Sequence, residues 1–175
     1  MLITDCTDHM EKFEFHYAMS KLQKFFWNDF CDNYLEFVKH RIYSETESQD
    51  KDAAVYALNK VLRETLLLFA PIMPHISDEI YQEIFGNGQE IHKQSWPVAG
   101  EKFSGEVAKV EVLAEIVSQI RQHKSKNRLA QNAELGMLRL SLPENMDQQL
   151  VEELKKISKI KNIETIKGDF AVTIQ

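Results

Sequence analysis

Glycine is scarce in this chain, six residues in 175, and proline scarcer still, at four. Loops that cradle phosphate are rich in glycine because several backbone N–H groups must approach the anion closely. No GxxxxGK[ST] occurs here, which excludes that kind of nucleotide site. No HExxH occurs either, and there are no paired Glu-x-x-His motifs of the kind a di-iron bundle needs. The two cysteines, Cys6 and Cys31, are too few for a disulfide framework, so reduced thiols and a cytoplasmic location are expected. Cys6-x-x-His9 has half of a zinc spacing, but the other thiol falls inside a helical row, and no metal site is expected. No apolar run approaches the ~20 residues that span a bilayer. The opening residues MLITDCTDHMEKFEF carry early acids and lack the basic stretch of a signal peptide. No serine or cysteine is singled out beside a histidine, so no catalytic residue is assigned.

What is present is an ordinary globular composition, 43% hydrophobic and 27% charged, with a net charge of −6. An acidic sum argues mildly against nucleic acid, but the charge is uneven. Residues 1–118 hold 11 Lys+Arg against 20 Asp+Glu, and residues 119–175 hold 10 against 7. Phosphate affinity follows local patches rather than the sum.

The first two-thirds has helical periodicity. Met19, Leu22, Phe26, Phe30, Tyr34 and Phe37 step by three or four, with Trp27, Cys31, Leu35 and Val38 as an adjoining row. Two rows make a stripe wide enough for the middle of a bundle, so a helix over 14–43 is predicted to pack on both. A shorter helix is predicted over 2–11. After the polar loop Ser44–Asp52, a helix over 52–70 turns Ala54, Leu58, Val61, Leu62, Thr65, Leu68 and Phe69 inward, and Pro71 ends it. Ser77 reads as the N-cap of a third helix, with Asp78 and Glu79 in its first turn. Gly86-Asn87-Gly88 stops it. A fourth helix over 105–127 turns Val107, Val110, Leu113, Val117 and Ile120 inward.

The period then changes to two at Leu138, Leu140 and Leu142, a strand broken by Pro143 and Asn145. Leu150, Leu154 and Ile157 mark a helix. Ile163–Ile166 and Phe170–Ile174 read as strands joined by a hairpin turn at Gly168-Asp169. The expected fold is mainly α: an antiparallel helix bundle over 1–130, followed by a small β-α-β-β (α+β) subdomain over 131–175 packed on it.

Four segments carry a resemblance. The run Phe26-Trp27-Asn28-Asp29-Phe30-Cys31-Asp32-Asn33-Tyr34-Leu35-Glu36 resembles the first long helix of the anticodon-binding domain of valyl-tRNA synthetases. Pro71-Ile72-Met73-Pro74-His75-Ile76-Ser77-Asp78-Glu79-Ile80-Tyr81 resembles a motif shared by the wider subclass, which includes the isoleucyl, leucyl and methionyl enzymes. Ser95-Trp96-Pro97 and Ile120-Arg121-x-x-Lys124-Ser125-x-Asn127 follow in the family's order, and the match covers about residues 11–145.

The resemblance implies a parent valine-tRNA ligase that uses ATP, with its catalytic domain in the same polypeptide. The HIGH and KMSKS motifs are absent, and Lys124-Ser125-Lys126 is an incomplete, helical imitation of the second. The chain itself is expected to carry no cofactor and to bind the anticodon stem-loop of valine tRNA. Two groups are candidates for RNA contact. Lys39, His40, Arg41 and Tyr43 end the long helix, which in relatives lies near the anticodon loop. Arg121, Lys124, Lys126 and Arg128 form a basic run with no acid between 119 and 128. A plain structural account exists for both: cations suit a helix C-terminus, and a charge run suits a solvated face. The competing readings are an isoleucyl or leucyl relative, a helical protein-interaction module that never touches RNA, and a small complete enzyme, which the missing motifs disfavour.

Overall fold

A computed structural model describes residues 2–86, 88–100, 104–142 and 147–174. Asn87, Pro143 and Asn145, expected as chain breakers, lie outside the described residues. The chain divides into two compact units, Met1–Glu101 and Lys102–Gln175.

In the first unit α1 (Leu2–Glu11) and α2 (Phe15–Lys24) form a helical hairpin. Its corner is a left-handed C-cap: Phe13 has φ 59°, its N–H donates to Met10 O (3.1 Å), and Glu14 N–H donates to His9 O (2.8 Å). That paired bonding satisfies carbonyls left over at a helix end. From α2 the chain runs without a break through a π-helical segment (Phe25–Tyr34) into α3 (Leu35–Ile42). Lys24 and Leu35 at the junctions both keep right-handed helical dihedrals, and Leu35 N–H donates to Phe30 O, five residues back. π-helix is rare and mostly confined to single turns.

The inward row of the long helix is where periodicity placed it. Leu22, Phe30 and Phe37 are buried, and Met19, Phe26 and Tyr34 are half-buried. The adjoining row is not uniform: Val38 is buried, but Trp27 is 56% exposed. The expectation of a core role for Trp27 is therefore corrected. The next residue back, Phe26, takes the edge contact with Phe69, and its neighbour Trp27 is left facing solvent.

After Ser48, whose Oγ accepts from Lys51 N–H (3.2 Å), α4 (Gln49–Phe69) runs into the core. Residues 65 to 70 are all buried, so the end of α4 is enclosed on every side. One cluster joins Leu66, Leu67 and Ala70 to Tyr81 and Ile91. A second joins Leu68 and Phe69 to Cys6 and Leu22, with Trp96 packed against it. Phe26 meets the edge of Phe69 at 5.9 Å between ring centres.

α5 (Pro74–Phe85) starts earlier than expected, with Pro74 as its first residue and Met73 as N-cap. Proline loses nothing there, because the first-turn N–H groups have no intrahelical partner. Ser77 is not the cap: it lies inside the helix and is buried, and its N–H donates to Met73 O (3.1 Å). Asp78 is not in the first turn either. Its carboxylate accepts from Ile91 N–H (2.8 Å) and from Gln82 Nε2 (2.6 Å), fixing the short 3-10 turn Ile91–Lys93 over α5.

The second unit holds α6 (Ser104–Lys126), β1 (Leu135–Leu142), α7 (Gln148–Ser158), β2 (Ile160–Lys167) and β3 (Ala171–Ile174). The helix periodicity places the division at 130, after α6; by packing, α6 groups with α7 and β3. Leu113, Ile116, Val117 and Ile120 form its buried stripe, while Val107 and Val110, expected inward, are exposed.

The hairpin expected at Gly168-Asp169 is also corrected. β1 is the central strand, parallel to β2 and antiparallel to β3, in the order β2-β1-β3. The chain leaves β2 around the end of β1, where Gly168 N–H donates to Leu142 O (2.9 Å). Central strands go to the most apolar sequence, and Leu138 and Leu140 of β1 are fully buried. β2 and β3, with Lys161, Glu164, Lys167 and Thr173, are suited to the exposed edges.

Candidate nucleic-acid interface

The end of α3 is a corner held by local bonds. Tyr43 N–H donates to Lys39 O (3.0 Å) and Ser44 N–H to Arg41 O (3.3 Å). Across the loop Lys51 Nζ donates to Ser44 O (3.1 Å) and to Glu47 (2.8 Å). This places the phenol ring of Tyr43 in solvent, 79% exposed. Lys39 is exposed but forms an ion pair with Glu36, one turn back. His40 and Arg41 are half-buried rather than fully presented. The Arg41 charge acts back on Tyr34, whose hydroxyl is nonetheless raised above the usual tyrosine range by burial, the larger effect. Acids crowd the same corner: Glu36, Glu45, Glu47, Asp50 and Asp52. An exposed ring on a rigid helix end can stack on an unpaired base. To grip phosphate, Lys39 must exchange its pairing with Glu36 for the anion.

The basic run of the second unit splits. Lys126 and Arg128 are exposed, and Arg121 is half-buried. Lys124 is 2% exposed, so it is withdrawn from the RNA-facing set. It continues the apolar row Leu113, Val117, Ile120 at the next step of four, a signal that was present in the spacing. Its ammonium donates to Gln131 O (2.9 Å) and Ser158 O (3.0 Å), tying the loop after α6 to the end of α7. Burial lowers its pKa below the ordinary lysine value, and the nearby charge of Lys159 lowers it further. Beside Lys126, the groove between α6 and β3 has a volume of about 340 Å³ and is lined by Gln119, Gln122 and His123 among others.

Two groups of exposed residues escaped the sequence reading. Lys156 and Lys159 belong to the second unit's cationic end, and only the folding of α7 onto β2 brings them there. Phe13, Phe15 and Tyr17 project from the α1–α2 corner, with Phe13 edge-on to Phe15 at 6.0 Å. A left-handed phenylalanine is not written in any propensity.

Among the described residues no three His, Cys, Asp or Glu side chains stand close enough to hold a metal ion. Cys6 is buried against Ala18 O (3.8 Å), and burial raises its thiol pKa, as it does that of Cys31. No described helix is long and apolar enough to cross a membrane.

Comparison with known proteins places this mainly helical chain in a family. Residues 1–142 match the family model described as the anticodon-binding domain of tRNA ligase. A valine–tRNA ligase of Thermoplasma volcanium is 40% identical over 124 residues, which is 68% of this chain and 16% of that protein. The valine–tRNA ligase of Methanococcus maripaludis is 36% identical over an alignment of 178 residues, covering 93% of this chain and 19% of the relative. That of Ehrlichia canis is 36% identical over 141 residues, covering 78% and 18%. The chain thus spans less than a fifth of the length of these relatives. With the model matched across both the bundle and the first strand of the second unit, the chain belongs to the anticodon-binding domain family of tRNA ligases.

Proposed function

We propose that this chain is the anticodon-reading part of a valine–tRNA ligase. It holds the anticodon stem-loop of valine tRNA while a catalytic domain of the same polypeptide, in the cytoplasm, joins valine to the distant acceptor end using ATP. The observation that carries the reading is Tyr43: an exposed ring at the end of an unbroken helical rod over 15–42, in a chain whose relatives are valine–tRNA ligases. Stacking by Tyr43 engages a splayed base, and Lys39 and Arg41 add phosphate contacts beside it. Binding energy gained at the anticodon helps position the reacting end.

The test is a titration of this chain with fluorescently labelled valine tRNA at low salt, and with the same tRNA carrying an altered anticodon. Tighter binding to the natural anticodon supports the reading. Equal binding to both removes base recognition from it. Lys39→Ala and Arg41→Ala are expected to weaken binding and flatten its salt dependence, and no change in either property removes those two side chains from the contact.

A second reading, a protein-docking module, is favoured by the exposed Phe13, Phe15 and Tyr17 and by the first unit's charge, 9 Lys+Arg against 17 Asp+Glu. It predicts no tRNA binding even at low salt.

A further inference from the structure

The first unit is acidic as a whole, with 9 Lys+Arg against 17 Asp+Glu, and Lys39 and Arg41 are few beside that sum. The second unit has the opposite balance, 12 Lys+Arg against 10 Asp+Glu. The excess is gathered where two helices end. α6 closes with Arg128 N–H donating to Ser125 O (3.0 Å) and Leu129 N–H to Lys124 O (2.8 Å), around Arg128 at φ 55°. α7 gives way to β2 through Lys159 at φ 53°, whose carbonyl accepts from Leu135 N–H (3.1 Å). The buried ammonium of Lys124 binds carbonyls on both sides, at Gln131 and Ser158, so the two caps are fastened to each other.

A left-handed cap is the position where glycine is the default, because any side chain costs conformational energy there. Both caps instead carry a cation, exposed to solvent. Lys126 in the last turn of α6 and Lys156 in the last turn of α7 add two more. No ion pair with a described residue engages any of the four, while neighbouring Lys155 and Lys161 are matched by Glu152 and Glu134. Helix dipoles make cations at these ends tolerable, but they do not call for an exposed arginine and lysine in strained backbone when glycine would close the helix better.

We propose that this doubly capped end, formed by Lys126, Arg128, Lys156 and Lys159, is a second tRNA site that grips the sugar-phosphate backbone. The inference rests on the tRNA reading above and assigns a role to the small unit. The bundle end reads bases, and the capped end supplies the sequence-independent hold. Because Lys124 fixes the caps together, the four cations are presented on a rigid frame, and little side-chain or loop ordering is needed on binding.

The geometry provides its own test. Glycine suits both left-handed positions, so Arg128→Gly and Lys159→Gly remove the charges without harming the fold, and each variant should melt at or above the wild-type temperature. Labelled valine tRNA is titrated into the wild-type chain, the double glycine variant and Lys156→Ala over a range of salt concentrations. The expected result for the double variant is binding weakened about tenfold or more at low salt. The slope of log affinity against log salt should fall by roughly one per lost contact, with discrimination between anticodons unchanged. If the wild type binds tRNA and all the variants match it in affinity and slope, the capped end is not a site, and the anticodon reading stands. If the wild type binds no tRNA at low salt, both are overturned together.

Discussion

The indole N–H of Trp96 donates to Thr7 Oγ1 at 2.9 Å, joining two points 89 residues apart. Thr7 Oγ1 in turn donates to Ile3 O (2.8 Å), so the loop carrying Trp96-Pro97 is latched to the first helix rather than resting on it. Replacing Thr7 by valine keeps the shape and removes the acceptor. The partly buried indole then has no partner, and the chain should lose about 1 kcal/mol of stability. Urea unfolding of the Thr7→Val variant measures this; an unchanged midpoint would mean that water replaces the hydroxyl at no cost.

The two tryptophans should differ in their optical behaviour. Trp96 packs against the core formed by Cys6, Leu22, Leu68 and Phe69, whereas Trp27 is largely in solvent. Trp27→Phe is therefore expected to remove the component of fluorescence that acrylamide quenches readily and to change stability by less than about 0.5 kcal/mol. Quenching that survives in Trp27→Phe and vanishes in Trp96→Phe would reverse the assignment.

Lys124 links stability to pH. Its folded pKa lies below the ordinary 10.5, chiefly through burial and then through Lys159. The ammonium form is thus less favoured in the folded chain than in the unfolded one. Between the folded value and 10.5 the unfolded state binds more protons, so this group's contribution to stability rises as pH increases through that window. Lys124→Met leaves the carbonyls of Gln131 and Ser158 without their donor, at a cost on the order of 2 kcal/mol near neutrality. The gap between wild type and variant should widen as pH is raised through the window just below 10.5, and urea midpoints of both proteins at several pH values give the comparison.

Gly86 ends α5 in close quarters. A methyl group there would stand 2.4 Å from both the Cα and the carbonyl oxygen of Gln82, closer than atoms can pack. Gly86→Ala should unwind the last turn of α5 and cost roughly 1–3 kcal/mol. Gly88 has open space around it but φ +77°, so Gly88→Ala carries only the milder conformational cost of about 1 kcal/mol. Thermal melts of the two variants should rank in that order.

Under the proposed function, variants of Tyr43 separate base reading from charge. Tyr43→Ala is expected to lose about 1–3 kcal/mol of tRNA affinity with little change in salt slope, because stacking releases no counterions. Tyr43→Phe should retain most of the affinity. Equal losses in both variants would point to the hydroxyl rather than the ring.

Much of this was legible from periodicity. The row from Met19 to Phe37 and the inward set of α4 are set by the spacing of apolar residues, and packing obeyed it. Local chemistry misled where tertiary context decided. Ser77 has the composition of a cap, but Pro74 three residues earlier suits the first helical position better. Gly168-Asp169 has the composition of a hairpin turn, but β1 is more apolar than either neighbour and took the centre of the sheet. The charge of Lys124 points to solvent, but its place four residues after Ile120 puts it in the buried row. Of the candidate site, the exposure of Tyr43 follows from its place after the last helical turn. The joining of the two helix ends through Lys124 depends on α7 packing against α6 and β2, which no local window contains.

The π-helical stretch from Phe25 to Tyr34 has a consequence for aim. A helix fixes the compass bearing of each side chain by its turn per residue, and ten residues at a smaller turn still deliver Phe30 and Phe37 to the buried face. Lys39, Arg41 and Tyr43 therefore face a direction set by Phe25–Tyr34 as much as by their own sequence. The run that most resembles one family is also the dial that points its exposed tyrosine.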